Sequence, residues 1–545
     1  MGSDSLRMGF DPRRLGSDPF RMGSDTRCVG FGPRHGIFRL LPRRFSDSCP
    51  VTMSKAAAKS SSAAARTSAA RTAATPKART GHLPVRYLKG KPADDRPLFD
   101  YTRADFEELV RDALRQARRL GASAAVAEVS ESSGLAVTVR KGKVETIEQT
   151  RDRGLGISVH VGKRRGHAST SDFSPQALAR TVQAAYDIAA ITGEDPYAGL
   201  PEKKFLALGE HDVSGLKLFS PWHVSVDEAI ELAREIEAAS FAVSSGIANS
   251  DGASVSVGHG HFLSANSRGF SGGFPHSRHT LSVGPIARRG RDMQRDGWYS
   301  SARAAADLAD PVALGRYAAE RALSRLGARK LSSRKAPVLF EAPLALGLLG
   351  SLVQAVSGSA LYRRATFLVD SLGRQIFPDH IDIEEDPFIP GAMGSGPFDD
   401  EGVTTHARDV VSGGVLQGYF LSTYSARKLG MKTTGNAGGS HNLRLSSRLT
   451  KRGDDFARML KKLGTGLLVT EVMGQGVNYV TGDYSRGASG FWVENGVIQY
   501  PVEEITIAGN LADMYRSIVA VGNDELTRGT KTSGSILIEE MAIAG

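Results

Sequence analysis

The alternation of apolar and polar positions becomes regular near residue 98. In "YTRADFEELVRDALRQARRLGAS", Phe106, Leu109, Val110, Ala113, Ala117 and Leu120 recur at the spacing of one helical face. Thr102 or Asp105 is placed to cap that helix and Gly121 to end it. The period then drops to two. "AAVAEVSES", "GLAVTVRKGKVETIEQT" and "LGISVHVGKRRGHAST" predict a meander of strands with glycine-containing turns. A second helix, "SPQALARTVQAAYDIAAIT", closes the unit near residue 193.

The same order recurs. Ser225 and Glu228 form an S-x-x-E capping box before "VDEAIELAREIEAASFAV". Strands follow through residue 301, and Asp310-Pro311 opens "DPVALGRYAAERALSRLG" with proline at the first helical position. Helix, strands, helix, stated twice, predicts an α+β fold rather than a parallel doubly wound sheet. From about residue 335 the pattern changes to one helix (343–357) and then short strands among many glycine turns, so a mostly β C-terminal domain is expected. The boundaries that follow are a tail at 1–97, α/β units at 98–200 and 201–333, and a β-rich domain at 334–545.

Residues 1–35 repeat with period seven ("MGSDSLR MGFDPRR LGSDPFR MGSDTRC VGFGPRH"), but the recurring Gly and Pro are incompatible with a coiled coil. The Ala/Ser/Lys/Arg stretch after Met53 has no large apolar residues to bury. The expectation is a disordered basic tail, with Met53 an alternative start and an organelle transit peptide a lesser reading.

Charge changes the picture mainly by its location. The whole chain is +11, yet residues 1–97 hold 19 Lys and Arg against 7 Asp, leaving 50 basic and 51 acidic residues in 98–545. The body is neutral, which removes the main support for nucleic-acid binding by the folded part. A regulatory binding role through the basic tail stays open. Both cysteines, Cys28 and Cys49, fall in the tail, so the body has no thiolate nucleophile or thiolate metal ligand. The longest apolar run, "PLALGLLGSLVQAV", is shorter than the roughly 20 residues of a membrane span. A cytoplasmic protein is expected.

Candidate chemistry is sparse. There is no Walker loop, no G-x-S-x-G elbow, and the glycines of "MGQGVNYVTGDYSRGASGFWVENG" (473–496) lack dinucleotide-binding spacing. His259-x-His261 and His276-x-x-His279 carry ligand-type side chains at strand spacing. They support an independent metal-dependent hydrolase, or else are polar residues on the exposed side of a hairpin. Acidic runs at Glu384-Glu385-Asp386 and Asp399-Asp400-Glu401 either offer carboxylates to a basic group or end strands.

"PFDDEGVTTHARDVVSGGVLQGYFLSTYSARKLGMKTTGNAGGSHNL" and "TGDYSRGASGFWVENGVIQYPVEEITIAGNL", with "NSRGFSGGFPHSRHTLSV" and "RKGKVETIEQTRDRGLGISVHVGKRRGHASTSD", resemble the TldD/TldE (PmbA) family over nearly all of 100–545. The resemblance implies a two-part metalloprotease acting on peptides or unfolded proteins. TldD-type chains carry an HExxxH helix, two histidines for zinc and a glutamate for the water, with a later cysteine. Here Val353, Gln354 and Gly358 stand at those positions and no cysteine follows. The resemblance is therefore to the TldE/PmbA subunit. It implies no catalytic or metal residue in this chain, zinc in a TldD-like partner, and a heterodimer. Substrate-binding residues are expected at Asp400, Glu401, Asn436, Asp483, Tyr484 and Arg486. The glycine-rich stretch is expected to line a cleft where an extended peptide adds as a strand.

Overall fold

A computed structural model describes residues 83–85, 88 and 97–545. The heptad repeat, Met53, Cys28 and Cys49 lie outside the described residues.

The N-terminal helices form where their caps predict. α1 (Arg103–Arg119) opens on a reciprocal box: Thr102 Oγ1 accepts from the Asp105 N–H while the Asp105 carboxylate accepts from the Thr102 N–H at 2.6 Å. Gly121 follows the helix at φ +97°, a conformation that disfavours any side chain. α2 (Pro175–Ile191), α3 (Val226–Phe241) and α4 (Pro311–Ser324) are capped by Ser174, Ser225 and Asp310.

The strands of both repeats join one sheet. β1 (Ala124–Arg140), β2 (Lys143–Val161), β3 (Arg164–Thr170), β4 (Ile247–Asn266), β5 (Ser271–Gly272), β6 (Pro275–Arg289), β7 (Asp292–Arg295) and β8 (Trp298–Ala302) form it in the order β3-β2-β1-β4-β6-β7, with β5 on β4 and β8 on β6. The joint is β1 against β4, antiparallel from Val126↔Asn266 to Val139↔Ala253. Strand parity then fixes where all four helices sit. Ala125, Ala127, Val129, Val137 and Val139 are odd-numbered and buried, so they share one face of β1. The first three pack in one core with α1 and α2, the last two in another with α3 and α4.

The C-terminal part has two further sheets. β9 (Arg334–Phe340), β14 (Gly466–Met473), β15 (Asp483–Glu494), β16 (Val497–Asn510), β17 (Ile518–Val521) and β20 (Ile536–Ala544) form one. In it β16 pairs with both β15 and β20, so β16, β15, β14, β9 and β20 close on one another while β17 adds to β20 alone. β10 (Ile381–Asp386), β11 (Arg408–Ser412), β12 (Val415–Leu416), β13 (Asn442–Ser447), β18 (Leu526–Arg528) and β19 (Lys531–Ser533) form the other. One core, including Phe340, Leu349, Leu352, Ile383, Val469 and Ile538, fills the space between them around α5 (Ala342–Ala355).

The pattern predicts one helix after residue 335, and the structure has more: α6 (Gly358–Tyr362), α7 (Thr423–Lys428), α8 (Phe456–Leu463) and α9 (Leu511–Arg516). Each is eight residues or fewer, too short for a 3.6-residue period to stand out.

The start of α5 is tied to the N-terminal part by charge. Arg321 of α4 donates to both oxygens of Glu341, at 2.6 and 3.1 Å, and to Asp296 at 3.1 Å. Arg325 pairs with Glu471 on β14. The Arg321 and Glu341 side chains are 13% and 12% exposed. Burial opposes the charge on Arg321, but Glu341 and Asp296 outweigh it and hold the guanidinium well above its ordinary value. Removing one member leaves the other buried without its partner, which costs about 3–5 kcal/mol. Arg321→Met should thus lower stability by about 3 kcal/mol in urea denaturation, and Arg321→Met with Glu341→Leu should recover part of it. A single substitution without effect would show that the pair does not hold the fold.

Candidate functional site

α5 is buried on most sides: Ala345, Leu346, Leu348, Leu349, Leu352 and Ala355 all face the core. The Tyr515 hydroxyl, fully enclosed, donates to the Leu348 carbonyl at 3.0 Å and fixes the helix further. What remains open is a narrow strip of Gly347, Gly350 and Gln354. Against it lies the loop joining β14 to β15, part of the glycine-rich stretch. Between them is a cavity of about 210 Å³ lined by Gly347, Gly350, Ser351, Gly474, Gln475, Val477, Tyr479 and Arg486.

The loop holds this shape through its own turns. The Ser485 N–H donates to the Gly476 carbonyl at 2.7 Å, and the two segments lie so close that a Cβ on Gly476 would be 1.6 Å from the Ser485 carbonyl oxygen. Only glycine permits that approach. Asp483 accepts from the Thr481 hydroxyl at 2.6 Å and from Asn510 Nδ2 at 3.3 Å. It is exposed and pins the loop's base. Tyr484 is buried, its phenol raised by burial and moderated by the adjacent Arg486. Of these three expected residues, Arg486 alone lines the cavity.

The other three expected residues sit elsewhere. Asn436 is 4% exposed, and its amide is fully used: Nδ2 donates to Glu385 and the Gly439 carbonyl, and Oδ1 accepts from Arg408 and Thr434. Glu401 accepts from the Thr423 N–H at 2.8 Å, at the start of α7. Asp400 keeps one edge open to solvent although protein surrounds most of it. Burial first, then Glu128 and Glu401, push it up to about 7. Its neighbour Asp399 accepts three backbone N–H groups and is likewise pushed up to about 7, by burial and then by Glu401. None of Asp400, Glu401 and Asn436 lines the cavity. Sequence reasoning did not single out Gly347, Gly350 or Ser351. Their signal was a run of small residues at helical spacing inside an apolar helix.

The four histidines do not form one site. His259, His261 and His279 are buried on the helix-covered face rather than exposed on a hairpin, while His276, opposite Gly260, lies on the other face. His261 stacks on Phe106 (4.3 Å between centroids) and Phe99 (4.2 Å), with Nε2 3.4 Å from Glu131. His259 Nε2 accepts from the Trp222 N–H at 3.1 Å, and burial, then His279, pulls its pKa down to about 4. His279 Nε2 donates to the Ser220 carbonyl at 3.0 Å. These rings tie segment 220–222 to the sheet as neutral groups. Among the described residues no three His, Cys, Asp or Glu side chains gather as metal ligands.

Of the three positions expected to match a zinc helix, packing closes Gly358. Val353 is half-buried against the C-terminal core and Gln354 is exposed. Gly358 begins α6, where a Cβ would meet Ser425 Oγ at 2.2 Å and Ser425 Cβ at 2.5 Å. α6 packs on α7 at that point, and no side chain fits between them. Valine and glycine supply no ligand and a glutamine amide is no base, so these residues do not fit a zinc ion.

Comparison with known proteins agrees with this architecture. Family models described as the PmbA/TldA metallopeptidase domain 1, central domain and C-terminal domain match residues 125–189, 219–326 and 333–545. The chain belongs to the PmbA/TldD metallopeptidase family. It is 51% identical to Metalloprotease PmbA of Escherichia coli O157:H7 over 439 residues, 81% of this chain and 96% of that one. It is also similar to the crystal structure of a Bacteroides thetaiotaomicron protein proposed to modulate DNA gyrase, at TM-score 0.76 and 28% identity, covering 82% of this chain and 99% of that one. TldE from Thermococcus kodakarensis shares the fold at TM-score 0.69 and 19% identity, covering 80% of this chain and all of that one. No helix among the described residues is long and apolar enough to cross a membrane.

Restoring the zinc motif should therefore fail. Val353→His with Gln354→Glu and Gly358→His is expected to bind no stoichiometric zinc and to lose about 1–3 kcal/mol or more to overpacking. Metal analysis and thermal unfolding check this, and a stable, zinc-loaded triple variant would contradict it.

Proposed function

We propose that this chain is the PmbA/TldE-type subunit of a zinc metalloprotease complex acting on peptides or unfolded proteins. It does not catalyse. It binds substrate or activates a TldD-like partner that holds the zinc. The observation that carries this reading is Gly358: at the place of the second histidine, α6 against α7 leaves no room for any side chain. The family membership supports the chemistry, and the closed position supports placing it on another chain.

The substrate-facing part of this reading is the cavity between α5 and the β14–β15 loop. Its lining has exposed backbone at Gly347, Gly350 and Gly474, and Arg486 as its charged side chain. Bare backbone beside a strand end suits an extended chain of varied sequence. Asp483 and Tyr484 hold that frame.

Mixing experiments test the proposal. The full chain alone should not cleave an unstructured peptide, and cleavage should appear on adding a TldD-like subunit. Replacing the glutamate of that subunit's HExxxH should abolish the activity. Equal cleavage by this chain without a partner would overturn the proposal.

A further inference from the structure

The cavity beside α5 carries an unbalanced charge. Arg486 lines it, and among the described residues its guanidinium meets no carboxylate. Its neighbours are the Met473 carbonyl at 3.5 Å and the Tyr484 hydroxyl, both neutral. A second cation reaches the same helix face from the opposite sheet. Lys531 of β19 runs its side chain along Gly350, where its Cε would lie 3.8 Å from a Cβ. Lys531 is half-buried, with no ion pair or side-chain hydrogen bond to any described residue. Burial alone lowers its pKa, with no nearby carboxylate to oppose the shift. No aspartate or glutamate lines the cavity.

Other buried or half-buried cations have partners of several kinds. Arg321 has Glu341 and Asp296, and Arg408 has Glu385. Arg303 and Arg427 are wrapped by backbone carbonyls. Lys428 and Arg528 lie over aromatic rings. Among the described residues, Arg486 and Lys531 have no carboxylate, no such wrap of carbonyls and no ring beneath them. Two partly desolvated cations beside a polar cavity, with no countercharge among the described residues, favour an anion from outside.

We propose that this cavity binds the free C-terminal carboxylate of a peptide, with Arg486 and Lys531 as its cationic contacts. The inference rests on the reading that a peptide occupies the cavity, and it adds polarity: the chain end anchors on this subunit and the residues before it extend away along the groove. The volume favours a chain terminus over a large folded ligand. About 210 Å³ holds one terminal residue with its carboxylate. The glycines of α5 and Gly474 leave room for its main chain.

The test uses the full-length chain and one unstructured, fluorescently labelled peptide made as the free acid and as the C-terminal amide. Anisotropy should show the acid binding about ten- to a hundredfold more tightly, the range for losing a hydrogen bond to a charged group. Arg486→Met and Lys531→Met should each shrink that difference. Equal affinity for acid and amide would overturn the carboxylate proposal and leave the peptide-binding function standing. If neither peptide bound, both would fall. If inorganic phosphate displaced the acid as effectively as unlabelled peptide does, the site would be one for small free anions and the proposal would be wrong.

Discussion

The arrangement of this molecule turns on the buried pairing of Arg321 with Glu341. Glu341 is the residue before α5, so the helix that forms one wall of the cavity starts from a fixed point on the N-terminal sheet's own helix layer. Other ties run the same way. Arg303 donates from β8's end to the Ala392 and Met393 carbonyls, and Gln294 donates to Glu503. Water would weaken each of these contacts, and burial keeps them strong. α5 is thereby held between two halves of the chain, and the loop after β14 can close over it at a set distance.

That rigidity explains why the zinc motif's absence extends beyond three substitutions. Val353 has become part of the core, and Gly358 part of a close helix–helix approach with Ser425. The glycines of α5 also leave a bare helix strip, with Arg486 and Lys531 beside it and, among the described residues, no carboxylate paired to either. A fold shared with a metallopeptidase family is compatible with more than one role, and the site decides which.

Much of the local structure was legible in the sequence. α1 to α4 announce themselves by caps and by period, because both are written within a few neighbouring residues. The joining of two meanders into one sheet was not legible: β1 and β4 pair across more than a hundred residues, and nothing local encodes that register. The short helices after residue 355 escaped for want of length. At the site, Arg486 stood out as a charge among glycines. Asn436 stood out equally, and its commitment to Glu385 and Arg408 depends on contacts 51 and 28 residues away. Lys531 gave no signal at all, since it sits in a three-residue strand and acquires meaning only from lying against Gly350. Three of the histidines illustrate the converse. The spacing suggested ligands, yet packing beside Phe99, Phe106 and Trp222 makes His259, His261 and His279 core residues.

The central claim is that this chain has no means of holding a hydrolytic metal. Its most direct test is the zinc content of the purified full-length chain, measured after dialysis without chelator and paired with a peptide-cleavage assay on the same sample. The account predicts far less than one zinc per chain and no cleavage. One tightly held zinc per chain, with hydrolysis lost on chelation and regained on adding zinc, would contradict it.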